Sequence, residues 1–244
     1  MKNKDDHVGH SSGNLNLFAN KVKRVKSQKD QYGLELLDGM SKAGPFDMPM
    51  LEPFTQSVSQ KTDSLPLPFH EARSRYRKTG TLKGFFVHFY TDDYRFVCIK
   101  RNPGNYLALL RSADFVIGPD FSVYANYPFP VVLRNIYDSR VIARYLQMGG
   151  VKIIPNVVWI NPQSYSYVFE GQPVGSVISV NSTCIPVRDK RAQTLWLHGY
   201  REAIDRLSPV SVLRYGRIIP GEEKVFPEAI HFFNPYLNYM RYGR

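Results

Sequence analysis

The sequence predicts an α/β fold: a mostly parallel sheet of five to six strands with helices on both faces, preceded by an irregular N-terminal extension. Three observations predict it. Short runs rich in aromatic and β-branched residues start near positions 85, 115, 151, 176, 210 and 229. The first four gaps, about 25 to 36 residues, each fit one strand–helix–strand unit. The runs are near-continuously apolar rather than alternating, as in strands covered on both faces. An open doubly wound sheet and an incomplete βα barrel both satisfy this pattern, and the units are too few for a full eightfold barrel.

Taken in order, residues 1–64 are rich in Lys, Ser, Asn, Gln and Gly and read as a basic, partly irregular arm. The stretch Leu65-Pro66-Leu67-Pro68-Phe69 is extended, because proline holds the residue before it out of the helical region. It opens the α/β domain, 65–244. Residues 85–90 are the first strand and 106–110 a short helix. The second strand is the run ending at Gly118-Pro119. Residues 130–148 form a helix with a first-turn proline, stopped by Gly149-Gly150. The third strand runs from 151 to Pro155 and the fourth covers 176–180. Over 189–207, Ala192, Leu195, Trp196, Gly199, Ala203, Ile204 and Leu207 recur at three- and four-residue steps, the pattern of an amphipathic helix that Ser208-Pro209 ends. Strands at 210–215 and 229–233 follow.

Bulk composition narrows the function classes. With 43% hydrophobic and 14% aromatic residues the chain is a folding one. No apolar run reaches the roughly 18 residues of a membrane span. Residues 1–6 lack the apolar core of a secretory signal, so the expected location is cytoplasmic, or the cytoplasm of a host. Two cysteines, Cys98 and Cys184, fit neither a disulfide framework nor a zinc site; both lie in or beside apolar runs and read as buried free thiols. The net charge of +11 favours polyanionic partners.

Two runs share one design. The segment 115–119 leads into Asp120, and 151–155 leads into Asn156; each is an apolar run, a proline, then a small polar residue. Proline ends ladder pairing and so places the next group at the rim of the sheet, where parallel α/β folds bind ligands. Asp92 and Asp93 follow the first strand. Asp93, Asp120 and Asn156 are therefore the candidate catalytic residues. Carboxylates gathered there suit Mg²⁺, with Asp93 and Asp120 as its ligands, or acid–base work. Turn formation and helix capping are the structural alternative for the same residues. Arg95, Trp159, Arg214 and Tyr215 lie near strand ends and are candidate binding residues, arginine for phosphate and the aromatics for stacking. His88, within the first strand, reads as a core histidine. Two basic clusters, Lys21, Lys23, Arg24 and Lys26 in the arm and Arg73, Arg75, Arg77 and Lys78 around Tyr76, suit a nucleic-acid backbone.

The strings Val87-His88-Phe89-Tyr90-Thr91-Asp92-Asp93-Tyr94-Arg95-Phe96, Gly118-Pro119-Asp120-Phe121-Ser122-Val123-Tyr124, Ile153-Ile154-Pro155-Asn156-Val157-Val158-Trp159 and Val212-Leu213-Arg214-Tyr215-Gly216 occur in this order. Together, across residues 66–235, they resemble the domain of unknown function 4417 family. Val158 departs from the third motif, where the family pattern has an arginine before the tryptophan. The resemblance implies a bacterial, phage or mobile-element protein and brings no activity, cofactor or catalytic residue. The reading that results is a nucleic-acid-associated α/β protein with a polar rim site. Its alternatives are a metal-dependent hydrolase of phosphodiesters or glycosides using Asp93 and Asp120, and a non-catalytic protein whose arm binds a partner or a second copy. Whether it is an enzyme stays open at this point, and no membrane partner is expected.

Overall fold

The computed structural model describes residues 34–56, 58 and 64–232. A two-residue hairpin pairs β1 (Lys42–Ala43) with β2 (Met48–Pro49). Seven parallel strands follow: β3 (Leu65–Pro68), β4 (Leu82–His88), β5 (Ala113–Ile117), β6 (Ile153–Ile154), β7 (Val177–Asn181), β8 (Ser211–Tyr215) and β9 (Ile230–Phe232). Six of them are the runs expected from sequence; the seventh, β3, is the extended Leu-Pro-Leu-Pro stretch. Ladders join β3-β4-β5-β6 and β7-β8-β9. A single parallel bridge, Asn156 to Ser179, links the two sets. It is made by Ser179 N–H donating to Pro155 O and Val157 N–H donating to Ser179 O, both at 2.9 Å. Pro155 has no N–H to give, but its carbonyl still accepts, so the seam falls at Asn156.

The helices fill the crossovers. Helix α1 (Phe69–Thr79) joins β3 to β4; α2 (Cys98–Arg101) and α3 (Leu107–Arg111) precede β5; α4 (Phe129–Met148) precedes β6; α5 (Tyr165–Val168) precedes β7; and α6 (Lys190–Leu207) precedes β8. Helix α1 stops at Gly80, whose left-handed backbone lets its N–H reach Tyr76 O. Helix α6 starts at Asp189, which accepts from Ala192 N–H at 2.9 Å.

Strand order follows chain order, and this selects between the two arrangements left open by the sequence. Right-handed crossovers that always step the same way put every helix on one face; helices on both faces need a reversal of strand order. No reversal occurs among the described strands, so of the two arrangements the incomplete barrel is the one that fits. Packing agrees. One apolar cluster sets Val87, Val116 and Ile153 against α1, α3 and α4, and a second sets Ile178, Val180 and Val212 against α4, α5 and α6. The third holds Phe54, Phe86, Phe115, Ile117, Ile154, Val177, Leu213 and Tyr215, with no helical residue. It is the inside of the barrel. Phe86 of β4 stacks on Phe115 at 4.8 Å and meets Phe232 of β9 edge-on at 5.1 Å, so early and late strands touch across the interior. Among the described residues no ladder joins β9 to β3. Met48, Leu51 and Phe54, ahead of the first barrel strand, are buried in these clusters. No helix among the described residues is long and apolar enough to cross a membrane.

Candidate functional site

Four successive strands deliver polar groups to one point on the carboxyl rim. Gly118 N–H donates to Ile154 O at 2.9 Å, the last ladder bond of β5, and Pro119 then turns Asp120 inward. Asn156, just past β6, donates its amide to Asp120 Oδ1 at 2.8 Å. Asn181, the last residue of β7, donates to Asp120 Oδ2 at 3.3 Å. Both amides are oriented by other bonds. Asn156 Oδ1 accepts from the Tyr90 hydroxyl at 2.9 Å, and Asn181 Oδ1 accepts from Thr183 N–H at 2.7 Å and its hydroxyl at 2.6 Å. Each amide must therefore present its NH₂ to the carboxylate. Tyr90 also meets Ser179 Oγ at 2.7 Å and stacks on Tyr215 at 4.7 Å.

Asp120 keeps an edge exposed to a cleft of about 120 Å³ lined by Ser122, Tyr124, Trp159, Asn181, Cys184 and Trp196. On its other side a void of about 20 Å³, bordered by Ser139, Arg140 and Asn156, has room for about one water. Burial pushes the Asp120 carboxyl up, and the Asp93 charge adds to this; the two amide bonds oppose it, leaving a pKa of about 6. Burial likewise raises Tyr90, helped by the Asp120 charge. Asp93 itself accepts from Ser122 N–H at 3.2 Å and from its hydroxyl at 2.9 Å, which ties the first strand's loop to the Asp120 loop.

The model of the domain of unknown function DUF4417 matches residues 40–233. The chain belongs to the DUF4417 family. It is 34% identical over 155 residues to the Gene 1 protein of Mycobacterium phage L5, covering 64% of this chain and 67% of that protein. The match to the Gene 1 protein of Mycobacterium phage D29 is 30% over 155 residues, 64% of this chain and 57% of that one. No solved structure matches. The phage-type character implied by the motifs thus has phage homologues behind it.

Of the candidate catalytic residues in this DUF4417 chain, Asp120 and Asn156 touch, and Asp93 joins them through Ser122. Trp159 lines the cleft, its five-membered ring lying over Gly199 of α6; a Cβ there would overlap the indole, which is why glycine sits in mid-helix. Tyr215 is buried beneath Tyr90. Arg214 has no exposed surface. Its Nη2 bonds Glu222 Oε2 at 2.8 Å and Ser182 Oγ at 2.7 Å, and its guanidinium lies 4.4 Å from the Trp196 ring. It backs the cleft wall rather than facing a ligand. Arg95 is away from the cleft, 3.6 Å from Asp92 and over the Tyr94 ring. Arg73 and Arg75 lie over Tyr106 and Phe85, while Arg77 and Lys78 are exposed in the last turn of α1. That turn leads into the start of β4, so it lies at the opposite end of the barrel from Asp120. Lys21, Lys23, Arg24 and Lys26 lie outside the described residues. Among the described residues no group of three or more His, Cys, Asp or Glu is arranged around a metal position.

His88 is the core histidine expected, fully buried, with its pKa lowered to about 3 mainly by burial. Cys98 is half-buried and Cys184 is exposed, so the expectation of two buried thiols fails: the run before Cys184 ends at Val180, and the loop beyond it faces the cleft. Sequence reasoning does not single out Tyr90, Ser179 or Asn181. Asn181 carries a usable signal, since it too is a small polar residue directly after an apolar run, though without the proline.

Proposed function

We propose that this DUF4417 protein binds one small ring-bearing group in the carboxyl-rim cleft and uses Asp120 as the acid–base group of a hydrolytic reaction. One observation carries the reading: a carboxyl with a pKa of about 6, clamped by two oriented amides, at the floor of a cleft walled by Trp159 and Trp196. A group that titrates near neutrality can both take and give a proton, worth about 10²–10⁴-fold in rate. Size limits the ligand. A cavity of about 150 Å³ holds benzene, so a partly open cleft of about 120 Å³ takes at most one ring. The only two tryptophans of the chain both line this cleft. Their emission therefore reports on the cleft walls, and titration with uracil and with N-acetylglucosamine tests the reading. Quenching by at least one of them, altered as pH crosses 6 and insensitive to pH in Asp120→Asn, is the expected result; no response to either counts against it.

The same variant carries a stability prediction. The folded-state pKa of Asp120, about 6, lies above its ordinary value of 3.8. The folded chain thus holds this proton more tightly than the unfolded chain. The resulting stability is fully present below about pH 4 and is lost as pH rises through 6. Asp120→Asn removes that loss, although one of the two amide donors loses its acceptor. It is expected to lie about 1 kcal/mol below the parent at pH 4 and about 1–2 kcal/mol above it at pH 8 in urea unfolding, a swing of about 2–3 kcal/mol set by the displaced pKa. Lower stability of the variant at pH 8 would contradict the assigned pKa.

A second reading, nucleic-acid association, is favoured by the net charge of +11 and the exposed Arg77 and Lys78. It places phosphate pairing on α1, apart from the cleft. Replacing both residues by alanine should flatten the dependence of log K for duplex DNA on log salt by about 0.9 for each phosphate no longer neutralised. An unchanged slope removes α1 from that role.

A further inference from the structure

Beside the cleft runs an aromatic groove of about 390 Å³, sharing Tyr124 with it and lined by Tyr127, Phe129, Tyr167, Asn161 and Gln163. Three of its rings are exposed: Tyr124 at 39%, Tyr127 at 37% and Phe129 at 50%. They are also held in place by one another. Tyr124 meets Tyr127 edge-on at 5.1 Å, and Phe129 meets Tyr167 at 5.5 Å. Such a cluster of exposed rings on a rim next to a carboxyl is unusual for a surface without a ligand.

The charge of the lining decides what fits. Among the described residues, Asp120 is the one charged residue lining the cleft and groove together, and no Lys or Arg lines either. A phosphodiester chain needs cations, because its affinity comes mainly from pairing phosphates with Lys and Arg. Here it would meet a carboxylate instead, with Asp93 close behind. A neutral sugar chain needs the opposite set: flat aromatic faces for its C–H faces, and amides and hydroxyls for its own hydroxyls. Asn161, Gln163 and Ser166 supply the polar part. At about 150 Å³ per ring, the groove takes two to three rings beyond the one in the cleft.

We infer that the cleft and the groove form one extended site for a neutral oligosaccharide, with the sugar beside Asp120 in the cleft and the following sugars over Tyr124, Tyr127 and Phe129. This rests on the cleft reading above and names its substrate class. Calorimetric titration of the full chain tests it, using chitotetraose, maltotetraose, cellotetraose and mannotetraose, their monosaccharides, an octathymidylate and an octaproline. At least one tetrasaccharide should bind about tenfold or more tighter than its monosaccharide, with no loss on a tenfold increase in salt. Tyr127→Ala and Phe129→Ala should each bring the tetrasaccharide close to the monosaccharide affinity and leave the monosaccharide unchanged. Silence from all four tetrasaccharides overturns the inference, as does equal binding of tetramer and monomer. Tighter, salt-dependent binding of the octathymidylate, or tighter binding of the octaproline, overturns it in favour of those chains. If uracil still quenches the tryptophans through Asp120 while every saccharide is silent, the cleft reading stands and only the oligosaccharide falls.

Discussion

Glu222→Ala is expected to destabilise the protein by about 3–5 kcal/mol, the largest loss predicted for any single charged residue here. Glu222 is only 3% exposed and sits on the short turn after β8. Its Oε2 accepts from Arg214 Nη2 at 2.8 Å, Arg214 Nε at 3.2 Å and Ile219 N–H at 2.9 Å. Truncation leaves a guanidinium with no exposed surface and no carboxylate against it. Ser182 Oγ and the carbonyl of Arg217 remain as acceptors, but they do not neutralise it. The damage should spread to the cleft, because Arg214 lies against Trp196. Replacing both partners, Arg214→Met with Glu222→Leu, removes the charge problem and should cost clearly less than the single change, which urea unfolding of the three proteins measures. A single-variant loss under about 1 kcal/mol would mean that Arg214 is not enclosed as described.

Phe86→Ala should cost a similar amount, about 3–5 kcal/mol. Phe86 is 1% exposed and packs between Phe115 of the adjacent strand and Phe232 of the last one. In a doubly wound sheet this residue would face helices. In the incomplete barrel it faces the opposite strands, so its loss opens a void in the interior and loosens β9 in particular. Amide exchange should therefore quicken in Ile230–Phe232 as well as in β4. Tyr94→Ala, at 70% exposure, is the control and should fall within about 0.5 kcal/mol of the parent. A Phe86 effect as small as that of Tyr94 would remove the strand-lined interior.

Much of this is legible in the sequence, and the reasons differ by element. Most strands show because they are near-continuous apolar runs. The same feature hides which alternative is right: an inner face covered by opposite strands and one covered by helices leave the same apolar run. Helix α4 shows through its first-turn proline and its glycine stop, and α6 through its apolar stripe and the Ser208-Pro209 end. Helix α1 does not, because only Phe69 and Ala72 are buried and its remaining face is basic, so the segment reads as a charged stretch. The pairing of Asp120 with Asn156 is legible because proline fixes where each strand ends. Arg214 misleads for a physical reason: an arginine near a strand end is usually solvated, and here the Glu222 carboxylate, folded back from the following turn, makes burial tolerable. Tyr90 belongs to the site through bonds to residues far apart in sequence, which no local pattern carries, whereas Asn181 has only the weaker sign of a polar residue ending an apolar run.

Tryptophan emission followed from pH 4.5 to 8 in the ligand-free protein probes the Asp120 environment most directly. Trp159 and Trp196 share the cleft with the carboxyl, so ionisation of Asp120 should change their emission in a step centred near pH 6, and Asp120→Asn should lack that step. A parent protein with no step between pH 5 and 7, or a step that persists unchanged in Asp120→Asn, would show that the carboxyl at the rim titrates like any surface aspartate and is not the proton-exchanging group.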